Sequence, residues 1–149
     1  MIMKMGKYQV YRMYNKENEE YLTEFFLPDD NLISMLNRIN TISSLKSEGF
    51  AVIGVVYVNK ETYLNLKIND TVDDYCEQDR LEQEYRTRYK RDEISRDVYI
   101  DTMKCIQDYK WTLLKKLDMQ MRRLYREGYD CDNEVAIQLY DKFLKGICV

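Results

Sequence analysis

The sequence holds few of the side chains on which enzymes most often rely. None of its 149 residues is histidine, and no other side chain has an unperturbed pKa so close to neutral pH. Catalytic triads, histidine-bound zinc or iron and histidine proton shuttles are therefore excluded. The five glycines do not cluster into a phosphate-binding loop. We expect a protein that is not an enzyme and binds no cofactor.

The cysteines could hold a metal ion or form disulfides only if the fold brought them together. They are scattered along the chain, without a C-x-x-C pair, at Cys76, Cys105, Cys131 and Cys148. Zinc sites usually draw on closely spaced ligand pairs. We predict reduced thiols that pack inside the protein, with a disulfide or a metal site as the less favoured alternatives.

A short acidic segment could also bind a metal. Asp73, Asp74, Glu77 and Asp79 carry the oxygen ligands that hard cations prefer. Acidic residues in the first turns of a helix also complement the helix dipole, and this second interpretation is the one we favour. A small enzyme that uses Asp, Glu, Tyr, Lys or Cys remains an alternative.

Tyrosine is abundant, with 14 residues, and two tyrosines suggest a binding surface. Tyr85 and Tyr89 follow Leu81 at intervals of four residues, and Arg86 and Arg88 lie beside them. Tyrosine and arginine are enriched at the energetic centres of protein interfaces. We predict that these five residues bind another protein, or a second copy of the chain. Alternatively, the tyrosines pack on the protein's own sheet.

Basic residues are concentrated later in the chain. The segment from Lys104 to Arg126 contains seven basic and two acidic residues, with Trp111 among them. Basic and aromatic side chains together can bind phosphates and stack on bases. The candidate contacts are Lys115, Arg122, Arg123 and Arg126. Because the net charge is −3, a nucleic-acid-binding regulator is less favoured than a protein-binding one.

The first half of the chain is rich in strand-forming residues. Residues 7–14 and 21–27 flank a polar stretch and predict a β-hairpin. Apolar residues at intervals of three and four over residues 32–45 predict a helix. The uncharged run at residues 50–58 is typical of a central strand covered on both faces. Alternation over residues 63–68 predicts a fourth strand.

The second half predicts helices, because no glycine or proline occurs between Gly54 and Gly128. Helices are expected at residues 71–91, at residues 96–127 and after Asp132. Whether the first two form one long helix or a hairpin is open, although Ser95 is a plausible cap and favours a hairpin.

Together these patterns predict an α+β fold, with a four-stranded antiparallel or mixed sheet in the order β-β-α-β-β. Two or three helices follow in the C-terminal half. We expect one domain over residues 1–149, in which a sheet-and-helix half (residues 1–69) packs against a helical half (residues 70–149).

No apolar run exceeds nine residues, and the apolar start of the chain, residues 1–5, is interrupted by Lys4 and followed by Gly6 and Lys7. We therefore expect no membrane partner and a cytoplasmic location.

In length and in its richness in Tyr, Asn, Lys and Met, the chain resembles the accessory proteins of phages and mobile elements. Such proteins often bind and inhibit a host protein. The resemblance implies an interaction protein, an inhibitor or an adaptor.

Overall fold

The computed structural model describes residues 6–146. Their elements in chain order are β1 (Tyr8–Asn15), β2 (Glu20–Phe26), α1 (Leu32–Ser47), β3 (Phe50–Val58), α2 (Lys60–Lys90), α3 (Arg96–Arg126) and α4 (Glu134–Leu144). The chain divides into two compact units between Leu64 and Asn65. The first unit holds the sheet and α1, and the second holds α3, α4 and most of α2. The packing of the two halves into one domain stays a prediction.

The sheet has three strands, in the order β2-β1-β3, and both pairings are antiparallel. The α+β class, the β-hairpin and the helix α1 are confirmed. The predicted four-stranded sheet is wrong, and the described residues form four helices.

The fourth strand predicted at residues 63–68 is wrong because this segment belongs to α2. Asn59 caps the helix, since its side-chain oxygen accepts a backbone N–H of the first turn at 2.8 Å. Leu64 and Ile68 are buried and lie four residues apart, on one face of the helix. Leu66, which completes the apparent alternation, is only half-buried. A segment of six residues is too short to distinguish the two-residue period of a strand from the period near four of a helix.

The position predicted for β3, in the centre of the sheet, is also wrong. β3 pairs with β1, and no strand of residues 6–146 lies along its other side. Four of its apolar side chains are exposed, namely those of Ile53, Val55, Val56 and Tyr57. β1 takes the centre because it pairs with both β2 and β3.

The core of the first unit lies between the sheet and the second half of α1. It is formed by Met13, Phe26, Ile42 and Phe50, with Tyr11, Leu22, Leu45 and Val52 packed around them.

A buried asparagine joins the hairpin to the end of α1. Asn15, which is 1% exposed, donates from its side-chain amide to the Glu48 carbonyl at 3.1 Å. Its side-chain oxygen accepts the Glu17 N–H at 3.0 Å. Gly49 lies against it with a φ of +102°, a conformation that side chains other than glycine rarely adopt. Asn15 therefore holds the hairpin turn and the C-terminus of α1 together.

In the second unit, α2 and α3 are separate helices. Asp92 adopts a left-handed conformation, with a φ of 56°, and the Glu93 N–H donates to the Arg88 carbonyl at 2.9 Å. This arrangement ends α2 in the manner usually supplied by glycine. Ser95 caps α3 by accepting a backbone N–H at 3.2 Å. The break favoured from Ser95 is confirmed.

The connection between α3 and α4 is attached to α2 by asparagines. The buried Asn65 side chain donates to the Asp130 carbonyl and accepts the Asp132 N–H, both at 3.0 Å. Asn133 caps α4 and donates to the side chain of Asn69 at 2.9 Å. The cap of α4 is therefore Asn133 and not the predicted Asp132.

We expect Asn15→Ala to lower the free energy of unfolding by about 2 kcal/mol, because it removes a buried side chain together with its hydrogen bonds to the Glu48 carbonyl and the Glu17 N–H. Urea unfolding followed by circular dichroism measures the change. Asn18→Ala is the matched control: Asn18 is exposed and contacts Asn15 only through its backbone N–H, so a loss below about 0.5 kcal/mol is expected. Equal losses in the two variants would contradict the role of Asn15.

Candidate functional site

The residues predicted to bind a partner lie along the C-terminal part of α2: Leu81, Tyr85, Arg86, Arg88 and Tyr89. The first two are half-buried and the other three are exposed. Arg86 donates to Glu82 at 2.7 Å, and Arg88 donates to Glu84 at 2.9 Å. The guanidinium of Arg88 lies 5.3 Å from the centre of the Tyr85 ring. The structure thus brings the predicted residues together, and their binding of a partner stays a prediction.

One of these tyrosines also packs within the second unit. The Tyr89 ring stacks on the Tyr99 ring of α3, with centroids 4.4 Å apart and planes 10° from parallel. The alternative that the tyrosines pack internally therefore applies to Tyr89, although its neighbour is a helix and not the sheet.

The apolar stripe of α2 is thin because charged residues occupy part of its inner face. Lys110 of α3 is 4% exposed; it donates to Glu82 at 3.1 Å and also to Asp79. Gln107 donates to the same Glu82 carboxylate at 3.0 Å. We call these four residues the Lys110 cluster. It holds α2 against α3 where Leu or Ile side chains would otherwise pack.

Lys110 keeps its charge at neutral pH. Burial acts to lower the pKa of Lys110, but hydrogen bonds to Asp79 and Glu82 outweigh it and raise the pKa above its ordinary value. The Tyr75 ring lies 4.9 Å from Lys110 Nζ, and burial raises the pKa of Tyr75. Either residue would need a lowered pKa to act as a base or nucleophile at neutral pH. The arrangement favours a structural role.

The basic residues considered for nucleic-acid contacts lie on α3: Lys115, Arg122, Arg123 and Arg126. Lys115 Nζ is 5.5 Å from the centre of the Trp111 ring. Arg122 donates to Asp118 at 3.0 Å, and a hydrogen bond with Tyr140 of α4, followed by the charge of Asp118, raises the pKa of Arg122. Two of the four cations are thus engaged by side chains of their own unit.

The acidic segment lies in the middle of α2, which begins at Lys60, so the interpretation that it complements the start of a helix is wrong. Two of its four carboxylates form ion pairs. Glu77 pairs with Arg80, and Asp79 pairs with Lys110. Within residues 6–146, no three Cys, Asp or Glu side chains lie where they could share a metal ion.

The described cysteines are free thiols, at Cys76, Cys105 and Cys131. Cys76 and Cys105 are exposed, so the expectation that the thiols are packed inside is wrong for these two. Burial of the sulfur raises the pKa of Cys76 and of Cys131, which disfavours the reactive thiolate. Cys148 and residues 1–5 lie outside the described residues.

A surface that the sequence patterns did not single out lies on the first unit. The stripe of α1 that was expected to face the core is exposed over the first half of the helix, where Leu32 is 67% exposed, and Ile42 is buried farther along. The exposed side of β3 adds four more apolar residues. We define the α1–β3 surface as Leu32, Ile33, Met35, Leu36, Ile39, Ile53, Val55, Val56 and Tyr57.

A groove lies beside the α1 part of this surface. It is situated between α1 and the sheet, with a volume of about 360 Å³, and its lining includes Ile39 of α1 and Val52 of β3. The cations Arg38 and Lys46 also line it, and Arg38 is held by Asp29 through hydrogen bonds of 3.1 and 3.0 Å. The groove is therefore partly apolar and partly basic.

One sequence signal marks the β3 part of this surface. The run at residues 50–58 contains no charged residue, and in the structure only two further strands accompany it among residues 6–146. A strand of this composition is usually buried on both faces and paired along both edges. The hairpin of β1 and β2 can pair with only one edge of β3, so the other edge is left open.

Comparison of the chain with models of protein families, with curated proteins and with solved structures gives no match. Among the described helices, none combines the length and apolar character needed to cross a bilayer. The surfaces and charged groups of the chain are therefore the basis for inferring a function.

We expect Lys110→Met to lower the free energy of unfolding by about 3 kcal/mol, because Glu82 would stay buried without this cation. Adding Glu82→Leu should recover most of the loss, since both buried charges are then removed. Lys115→Met, at an exposed lysine, is the matched control and should lose at most about 1 kcal/mol. Urea unfolding measures the three variants. A double variant no more stable than Lys110→Met would refute the pairing.

The double variant Tyr85→Ala, Tyr89→Ala tests the predicted surface on α2. Loss of the stack on Tyr99 should lower the free energy of unfolding by about 1 kcal/mol, and binding to a partner on this surface should weaken by about 2 kcal/mol. Tyr99→Ala breaks the same stack without changing α2, so it should lower stability alone. If Tyr99→Ala weakens binding equally, the tyrosines act through folding and not through contact.

Proposed function

We propose that the chain is a non-enzymatic interaction protein, an inhibitor or adaptor that works by binding another protein chain. The observation that carries the proposal is the α1–β3 surface. Its α1 part, Leu32, Met35, Leu36 and Ile39, is exposed and lies on one face of the helix, and large exposed apolar patches usually mark binding sites.

Covering the exposed side chains of α1 would contribute favourable free energy to binding. Fully burying a leucine or isoleucine side chain contributes roughly 1.5 to 3 kcal/mol. Leu32, Leu36 and Ile39 are each about half or more exposed, so covering these three alone would contribute roughly 2 to 4 kcal/mol. The neighbouring residues of β3 increase this amount.

Four pKa shifts disfavour a basic or nucleophilic role for the groups concerned. Lys110 and Tyr75 both have pKa values above their ordinary ones, and the same holds for the thiols of Cys76 and Cys131. Enzymes activate such groups by moving their pKa values toward neutrality. Burial does move two other pKa values in that direction, lowering that of Lys67 and raising that of Asp70.

The chemistry of the surface favours a protein partner over a nucleic acid. Nucleic-acid binding draws most of its affinity from cations that neutralise phosphates. None of the nine residues of the α1–β3 surface is charged, and on α3 Lys115 and Arg122 already contact Trp111, Asp118 and Tyr140. An apolar surface with a polar rim is typical of protein interfaces.

Capture experiments with the tagged chain test the proposal, using extract from cells of the source organism. The native chain should retain a protein partner, a second copy of itself included. The double variant Leu36→Ser, Ile39→Ser should retain on the order of 10-fold less, because two apolar anchors are removed. Met119→Ser removes an exposed apolar side chain of the second unit and should retain the same proteins as the native chain.

Two results would contradict the proposal. One is retention of the same proteins by the native chain and by the Leu36, Ile39 variant, with circular dichroism showing both folded. The other is retention of nucleic acid at about 150 mM salt, lost on changing Arg122, Arg123 and Arg126 to Glu, which would favour a nucleic-acid-binding regulator.

A further inference from the structure

The two edges of the sheet differ in their charge. The outer strand β2 carries Glu20 and Glu24, and charged residues on an edge strand discourage pairing with another chain. The other outer strand, β3, carries no charged residue along its nine positions. Its Val56 is 56% exposed. One edge is thus protected by charge and the other is not.

An irregularity in β3 limits the part of the strand that can accept a partner. Arg12 and Met13 of β1 are adjacent, yet they pair with Gly54 and Val52, so Ile53 is an extra residue on β3. A bulge of this kind bends the strand and interrupts its ladder. The regular stretch beyond it is residues 54–58, a length typical of a strand.

We propose that the occupant of this edge is a second copy of the chain, paired antiparallel through residues 54–58 about a two-fold axis at Val56. Antiparallel pairing about an axis places each strand opposite its own copy. Val56 then faces Val56, Val55 faces Tyr57, and Gly54 faces Val58. Every position meets an apolar or glycine partner, whereas β2 would bring the charges of Glu20 and Glu24 into such a pairing.

The side chains on the α1 face of the sheet support the same partner. Val55 pairs with Tyr11 in the sheet, and Tyr11 packs against the core beneath α1, so Val55 and Tyr57 share that face. α1 contacts β3, the strand next to the free edge. A two-fold axis perpendicular to the sheet would place both copies of α1 on one face of a six-stranded sheet. Val55 and Tyr57, which are exposed in the single chain, would then pack against each other across the axis on that face.

A charge-exchange experiment on the purified full chain tests the pairing. Sedimentation equilibrium should show the native chain as a dimer, and V56K and V56E should each weaken dimerisation roughly 30-fold or more, because like charges meet at the axis. An equal mixture of V56K and V56E should restore dimers. V56T and M119K are the matched controls, and both should dimerise like the native chain.

The self-pairing rests on the proposed function, and the experiments test the two separately. A native chain that is monomeric at about 100 µM, or V56K and V56E variants that each remain dimeric, would overturn the self-pairing; the capture experiment on the Leu36, Ile39 variant would still decide the proposed function. Failure of the V56K and V56E mixture to form dimers would overturn the axis at Val56.

A measurement on the native chain covers the case in which a charged variant does not fold. Amide hydrogen exchange across residues 54–58 should slow as the protein concentration rises, while exchange in β2 stays constant. Exchange in residues 54–58 that is independent of concentration would overturn the pairing.

Discussion

A sheet of three strands can satisfy the backbone hydrogen bonds of only one strand on both sides. Here that strand is β1, so β2 and β3 each keep a row of N–H and C=O groups facing outward. β2 tolerates this position because it carries charged residues, Glu20 and Glu24. β3 has the composition of an interior strand and occupies an outer position. The exposed apolar residues of β3 follow from that mismatch between composition and place.

The second unit is organised around a different constraint, the charge of Lys110. A buried ammonium group has to meet carboxylates, and it finds Asp79 and Glu82 on α2. Sliding α3 along α2 by one turn would leave Lys110 without them, whereas apolar side chains would tolerate the shift. The Lys110 cluster therefore selects one register for the helix pair, and the stack of Tyr89 on Tyr99 near the turn is consistent with that register.

The elements that depend on local signals could be predicted from the sequence. The hairpin, α1, the long α3 and the break before Ser95 all have caps or periodicity that lie within a few residues of one another. The predictions that are wrong depend on contacts between residues far apart in the sequence. The apolar residues at 63–68 fit both the two-residue period of a strand and the period near four of a helix. Only the continuation of the buried stripe along α2 identifies the segment as helical. The edge position of β3 depends on how many strands form, and the thin stripe of α2 depends on a lysine that lies 28 residues away from Glu82.

The candidate sites also differ in whether local sequence signals reveal them. Leu81, Tyr85 and Tyr89 could be grouped because they lie at helical spacing on one element. The α1–β3 surface could not, because it combines a helix face with a strand edge, and the helix pattern alone indicated burial. Exposure of Leu32 and Leu36 becomes evident only when the length of α1 is compared with the shorter part of it that the sheet covers.

The glutamates of β2 have a consequence for the size of any assembly. If two sheets joined through β3, both strands left at the outside would be β2, and each carries Glu20 and Glu24. Charged residues on these edge strands would discourage a third copy from pairing. Under the proposed pairing, the assembly would therefore stop at a closed pair and would not grow into a fibre.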